Sequence, residues 1–312
     1  MRTVTFQSVL NGVSQRGVSK TADACPSGTI ATLISYIADR LRTAWEFYRW
    51  PETMALDDRH YRLAWASGST YVSGNEVWFD DGAGTSGYYE ANQSTTAGQS
   101  PVTHPSKWDE MDNFHRYVPF AQTGETEFAA VLNAWDADPR AYDTAAQVPF
   151  TITDEGVSFD QDAPDTIWLE YRLPAPNFDC DIYDSGTAYA VGRRLYYAPT
   201  YECYLVNTLT SAGETPVSAA SKFTKIDFPM ILARAVKIGA LADYFMGDGH
   251  AERAESLEGR EGDGDVRTFF GLMEEQVRQL VLIQGQRGTY QFQPPPSTAG
   301  SATNNAADED AA

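Results

Sequence analysis

Gly68-Ser69-Thr70-Tyr71-Val72-Ser73-Gly74-Asn75-Glu76-Val77 opens a stretch that runs to Trp108 and returns, altered, between Gly186 and Phe223. A shift of 115 positions sets Tyr89 on Tyr204, Asn92 on Asn207, Thr95 on Thr210, Gly98 on Gly213, Pro101 on Pro216, Lys107 on Lys222 and Trp108 on Phe223. Upstream the shift becomes 118, with Tyr71 on Tyr189, Gly74 on Gly192 and Val77 on Leu195, because the first copy has a longer Gly-rich turn at 80–87. A hairpin tolerates an insertion confined to its turn. Two copies are too few for a solenoid or propeller, so residues 66–112 and 184–226 read as two small antiparallel β modules inserted in one host fold.

The remaining chain gives the host an α+β character. From Ser27 to Trp50, Ile30, Leu33, Ile34, Ile37, Leu41, Ala44, Trp45 and Tyr48 recur at helical spacing, with Ser27 placed to cap the start and Pro51 to end it. Residues 227–246 read as a second helix, capped by Asp227 with Pro229 in its first turn and apolar around most of its circumference. Such a helix must be covered on more than one side, by its own chain or by a neighbour. A last helix spans 265–285, with Val266, Phe269, Phe270, Met273, Val277, Leu280, Val281 and Gln284 on one stripe and Gly285 and Gly288 as its stop. Between them, 251–257 can form a turn or two of helix.

Residues 1–24 are rich in Ser, Thr and Val and read as an extended arm or short strands, so 1–65 forms the arm and first helix of the host. The host β region, 113–183, reads as a short helix over 125–134, a turn at Asp138-Pro139-Arg140, and strands at 148–152, 157–159 and 166–171. The closing helices occupy 227–290. From Gln291 to Ala312 the composition is too poor in apolar residues to fold alone and reads as a flexible tail.

The chain carries 312 residues, 42% of them apolar, and a net charge of −20. That charge disfavours a stable phosphate-binding surface, since nucleic-acid affinity depends on Lys and Arg displacing counterions. Cys25, Cys180 and Cys203 form an odd set without metal-ligand spacing, so neither a disulfide scaffold nor a zinc site is expected. The N-terminus lacks a signal-peptide core and no apolar run reaches membrane-spanning length, so the expectation is a chain neither secreted by a leader nor embedded in a membrane.

Chemistry-bearing patterns are weak. Asp136, Asp138, Asp154, Glu155, Asp160, Asp162 and Asp165 are close in sequence, but a chain with 43 acidic residues brings carboxylates together by composition alone. His60, His104, His115 and His250 lack metalloprotease spacing. Gly247-Asp248-Gly249 with Glu261-Gly262-Asp263-Gly264-Asp265 invites calcium without matching the twelve-residue loop that ends in Glu. No catalytic, cofactor-binding or metal-binding residue is therefore assigned. The residues singled out are structural: Tyr89, Gly98, Pro101 and Trp108 in the first module, and Tyr204, Gly213, Pro216 and Phe223 in the second.

The order Tyr71, Gly74, Val77, then Tyr89-x-Ala91, then Thr95-x-x-Gly98-x-x-Pro101 and Trp108 resembles the small chitin- and cellulose-binding β modules of bacterial glycoside hydrolases. Where that family carries exposed tryptophans for stacking on sugars, this chain has Asn92 and Gln93, then Asn207 and Thr208. The resemblance thus implies a scaffold without its sugar platform; a carbohydrate-binding virion or secreted protein is the alternative it leaves.

Beyond the modules, Ser35-Tyr36-Ile37-Ala38-Asp39-Arg40-Leu41 ending at Trp50-Pro51-Glu52, the turn Asp138-Pro139-Arg140, Pro149-Phe150 with Gly156-Val157, and the segment 167–174 resemble head-to-tail adaptors (connectors) of tailed bacteriophages. That resemblance implies a homo-oligomeric ring of about twelve subunits in the virion neck or tail. It would be assembled in the host cytoplasm and contact a portal protein and a tail or nozzle protein. DNA would pass through it transiently, with no membrane and no enzymatic activity.

Overall fold

The computed structural model describes residues 2–122, 125–259 and 267–285. The tail from Gln291, the helix stop at Gly288, the helix start at Asp265 and Val266, and the acidic segment 261–265 lie outside them. In chain order the first half comprises β1 (Thr3–Val4), α1 (Phe6–Gly17), α2 (Ser27–Phe47), β2 (Met54–Arg59), β3 (Glu76–Asp80), β4 (Ser86–Ala91), β5 (Trp108–Glu110), β6 (Tyr117–Pro119) and β7 (Ala130–Trp135). There follow β8 (Phe150–Ile152), β9 (Gly156–Phe159), β10 (Ile167–Arg172), β11 (Asp181–Ile182), β12 (Arg194–Tyr197), β13 (Glu202–Val206), β14 (Phe223–Lys225) and β15 (Phe228–Pro229). The chain closes with α3 (Ala233–Gly247), α4 (Ala251–Glu258) and α5 (Phe269–Gly285). The class is α+β.

The helices form one body. Leu33, Ile37 and Leu41 of α2, Ala235, Val236 and Leu241 of α3, and Phe269 and Met273 of α5 share a single apolar cluster, although α2 lies far from the others in sequence. Arg40 of α2 clamps the assembly: its Nε and Nη2 donate to Asp243 at 2.7 and 2.5 Å, and Nη1 and Nη2 donate to Glu258 at 2.7 and 2.9 Å. Its guanidinium carbon lies 5.0 Å from the centre of the Phe269 ring, so one side chain ties α2, α3, α4 and α5 together.

Several expectations are corrected here. Residues 1–24 are mostly helical: Phe6, Val9, Leu10 and Val13 follow i, i+3, i+4, i+7 and are fully buried in α1, whose Thr5 Oγ1 accepts the Ser8 N–H. The arm's strand among the described residues is Thr3 and Val4, pairing antiparallel with Pro229 and Phe228. That pairing displaces the expected cap at Asp227: Pro229 lies in a strand, Met230–Leu232 forms a 3-10 turn, and α3 begins at Ala233 with no side-chain cap. Ser27 is the first residue of α2 and makes no capping bond, because the cap position falls on Pro26. The same helix ends at Phe47, short of Pro51. The chain turns there so that Trp50 is buried and its Nε1–H donates to the Ala44 carbonyl at 2.7 Å.

A β body forms the second core. Its sheets are β2-β10-β7 and β6-β9-β8, all antiparallel. The short helix expected at 125–134 is absent. Residues 130–135 are instead β7, with Trp135 opposite Trp168 and Ala134 opposite Leu169. Ile167, Leu169 and Tyr171 point inward onto Val118, Phe128 and Val157. Beneath Tyr171, Arg59 is 5% exposed; its guanidinium donates to Glu125 at 2.7 Å and to the Tyr171 hydroxyl at 2.8 Å. The Tyr171 hydroxyl in turn donates to Asp57 at 2.6 Å, and burial first, then that carboxylate, pushes its pKa up to about 12. Leu173 packs on both cores, and its carbonyl accepts the Trp45 Nε1–H at 2.9 Å.

Leu41 is fully buried in the helical core. Leu41→Ala is expected to lower unfolding free energy by about 2–5 kcal/mol in chemical denaturation. Val72→Ala, at a side chain 59% exposed, should change it by less than about 0.5 kcal/mol.

Candidate functional site

The duplicated modules are the feature most in need of a role, and their equivalence extends to individual bonds. β3, β4 and β5 pair as Val77 opposite Tyr89 and Ala91 opposite Trp108; β12, β13 and β14 pair as Leu195 opposite Tyr204 and Val206 opposite Phe223. The Tyr71 N–H donates to Thr95 Oγ1 at 3.1 Å, and the Tyr189 N–H donates to Thr210 Oγ1 at 2.8 Å. Asn92 Nδ2 donates to Asp109 at 2.9 Å, where Asn207 Nδ2 donates to Thr224 Oγ1 at 2.6 Å. Gly98 and Gly213 adopt φ of 83° and 86°. Nothing crowds a Cβ at either, so glycine is required there by the left-handed backbone alone. Pro101 and Pro216 are both buried in the following turn.

The match also runs upstream of the expected boundaries. Ala64 forms a parallel bridge with Trp78, and Ile182 of β11 pairs in parallel with Tyr196 at the equivalent place. The Trp65 N–H donates to the Trp78 carbonyl at 2.7 Å, and the Tyr183 N–H donates to that of Tyr196 at 3.0 Å. Only the aromatic character of Trp65 and Tyr183 is shared between those segments, too little for sequence comparison to find.

Each module sheet has two working faces, because successive strand residues point to opposite sides. On one face Val77, Ala91 and Trp108 close a miniature core with Trp65, Tyr71 and a half-buried Tyr89. Leu195, Val206, Phe223 and Tyr189 do the same in the second copy, with half-buried Tyr204 and Tyr183. On the opposite face Trp78 and Tyr88 enter the β-body core, whereas Tyr196 and Cys203 enter the helical core. The modules are thus built into two different bodies, and excision of either would strip a core of aromatic cover. Among the described residues no strand pairing, hydrogen bond or ion pair joins the two modules to each other.

Several of the chemical groups considered from sequence are tied into local structure, whereas Asp154, Glu155, Asp160 and Asp162 are exposed. Asp138 accepts Arg140 Nε at 2.9 Å, which holds its carboxyl below the usual carboxylate range. Asp165 pairs with Arg116 at 2.8 Å, and Asp136 accepts the Ala146 N–H at 2.7 Å. His115 contacts Ser158 Oγ at 2.9 Å, and His250 lies 3.6 Å from Asp248. The three cysteines are free thiols on the helical core; burial, followed by a hydrogen bond with Cys180, pushes the Cys203 thiol well up. Among the described residues no group of three or more His, Cys, Asp or Glu is arranged to hold a metal. No described helix is long and apolar enough to cross a membrane. A shallow cavity of about 530 Å³ beside the Arg40 clamp is lined by Tyr36, Asp39, Thr43, Asp243 and Met246, but Arg40 is already committed to its two carboxylates.

Sequence reasoning missed the dual role of Trp78 and Tyr88. The available signal was the uninterrupted apolar run, Val77-Trp78-Phe79 in β3 and Tyr88-Tyr89 in β4, which puts large residues on both faces. In comparisons with family models, curated proteins and solved structures, nothing matches the chain.

His60 stacks on Trp78, ring centroids 4.3 Å apart and planes 15° from parallel, and its burial there lowers its pKa from the usual 6.5. The folded value lies below the unfolded one, so this contribution is complete above pH 6.5 and is lost as pH falls through the folded value. Stability titrated by urea should decline below that pH before the carboxylates titrate near about 4. His60→Gln should remove this early phase and leave the later one.

Proposed function

We propose that the protein is a structural virion component, a head-to-tail adaptor that assembles as a ring between a portal and a tail or nozzle and lets DNA pass without chemistry. The observation that carries the reading is the helical body. An N-terminal amphipathic helix, α2, packs against two C-terminal helices, α3 and α5, while the β material lies between them in sequence. This is the arrangement the resemblance to phage adaptors implies.

The charge of −20 fits the role, since phosphates passing an acidic surface meet no deep electrostatic minimum. The modules fit decoration better than sugar binding. Asn92, Gln93, Asn207 and Thr208 are exposed where stacking aromatics would stand, and Trp108 is buried. Of the two ways to cover α3, its own chain suffices: Ala235, Val236, Gly239, Ala240 and Ala242 are all buried within it, so the apolar circumference requires no neighbouring subunit.

Native mass spectrometry and negative-stain electron microscopy of the full chain should give a closed ring of about twelve subunits with a central opening. A monomer that is retained on, or hydrolyses, a polysaccharide would overturn the adaptor in favour of a carbohydrate-directed protein.

A further inference from the structure

The chain's cations are not spread evenly. Residues 1–22 hold Arg2, Arg16 and Lys20 with no carboxylate, and the first ten residues of α3 hold Arg234 and Lys237 with none, in a chain of net charge −20. These segments lie side by side. The Met230 N–H donates to the Arg2 carbonyl at 3.0 Å, a Cβ at Gly12 would meet the Lys237 stem, and one at Gly17 would meet Leu241 and Tyr244, so α1 and α3 run parallel. Lys237 Nζ reaches along α1 to donate to Ser8 Oγ at 3.3 Å. Arg16 and Arg234 are exposed, and Arg234 and Lys237 stand three residues apart on one helix face.

This strip differs from the chain's other cations in that nothing neutralises it. Arg2, Arg40, Arg59 and Arg116 each pair with a carboxylate, whereas Arg16, Arg234 and Lys237 pair with none among the described residues. Asp227 is exposed ahead of α3 but pairs with none of the three. Burial first, then the Arg16 guanidinium, lowers the Lys237 pKa from the usual 10.5, and no carboxylate opposes that shift. A charged ammonium so placed is stabilised by an added anion.

The course of α5 indicates which anion. A Cβ at Gly239 would meet the Phe269 ring, and Gln276 Nε2 donates to the Ile231 carbonyl at 2.7 Å, so α5 runs antiparallel to α3. From Gln276 to Gly285 the helix continues about 14 Å past Ile231, at the end of the body that carries the strip. The sequence goes on through a linker, 286–307, to Asp308-Glu309-Asp310, and 291–312 contains no Lys or Arg. That linker can span up to about 75 Å, against roughly 25 Å back along the helix axes to Lys237.

We propose that the acidic segment Asp308-Glu309-Asp310 docks on the strip formed by Arg16, Arg234 and Lys237 of its own chain. Three carboxylates meet three cations. Tethering makes the contact intramolecular, at an effective concentration on the order of millimolar, so weak exposed ion pairs suffice to hold it. The docked segment withdraws these uncompensated cations from phosphates. That consequence rests on reading the chain as a conduit for DNA; the contact itself does not.

Carbodiimide coupling of the full chain at low salt tests the contact, since it joins a touching carboxylate and amine as an amide while the carbodiimide takes up the water. Peptide mapping should find Lys237 joined to Asp308, Glu309 or Asp310 within a single chain, with the yield falling several-fold at about 0.5 M salt. In a chain carrying Asp308→Asn, Glu309→Gln and Asp310→Asn, acetylation of Lys237 relative to Lys107 should be about threefold faster than in the wild type at low salt, because the amine loses the anion that holds its proton. At high salt the two rates should agree.

Coupling at Lys20, Lys107, Lys222 or Lys225 without Lys237 would overturn the strip as the site, as would no coupling with unchanged acetylation. A link between two chains would overturn the chain's own tail as the occupant. Duplex DNA bound by the wild type at low salt and released by Arg16→Glu would give the strip to phosphates and overturn the proposal. A monomer that forms the Lys237 link would support the contact while ending the ring reading.

Discussion

A small sheet of three or four short strands buries little apolar area on one face, and that constraint governs how this chain is put together. Each module meets it by spending both faces. Val77 with Trp108, and Leu195 with Phe223, close miniature cores that seat the strand register. Trp78 and Tyr88, and separately Tyr196 and Cys203, add the apolar cover that joins one module to the β body and the other to the helical body. The same local solution, down to Gly98 and Gly213 at left-handed φ, is therefore anchored in two different environments.

The helical body depends on a different kind of contact. Its apolar stripes bring α2, α3 and α5 together without fixing their relative placement along the axes, because hydrophobic burial is not directional. Arg40 supplies the direction. Its fork meets both oxygens of Asp243 and both of Glu258, a geometry that a shift of one helical turn would break. With its side chain 13% exposed, the guanidinium is costly to leave without those partners, which makes the contact a determinant of arrangement more than a source of net stability.

Much of this was legible from residues alone, and the failures share a cause. The α2 and α5 stripes, the strands β8, β9 and β10, and the helix α4 follow local periodicity and were readable. On α5 the reading included Val281, which is 50% exposed, while Val277 and Leu280 pack on the core. α1 was hidden because Ser8, Ser14 and Gln7 dilute a stripe of only four apolar residues. β7 was misread because Phe128, Val131 and Leu132 happen to sit at helical spacing, whereas their conformation is set by pairing with β10, nearly forty residues away. The start of α3 was misplaced for the same reason, since β15 exists only by pairing with Thr3 and Val4. Of the module residues named from sequence, Trp108 and Phe223 are buried in the miniature cores, Pro101 and Pro216 are buried in turns, Gly98 and Gly213 take left-handed φ, and Tyr89 and Tyr204 flank the cores.

The central structural claim is that the duplicated modules belong to different cooperative bodies. Native-state hydrogen exchange resolved by peptide tests it most directly, because amides that open together exchange with one free energy. The backbone amides of β3 and β4 should exchange with those of β10, and the amides of β12 and β13 with those of α2 and α3. Exchange of both modules together, at a common rate faster than either body, would contradict the account and leave them as independent appendages.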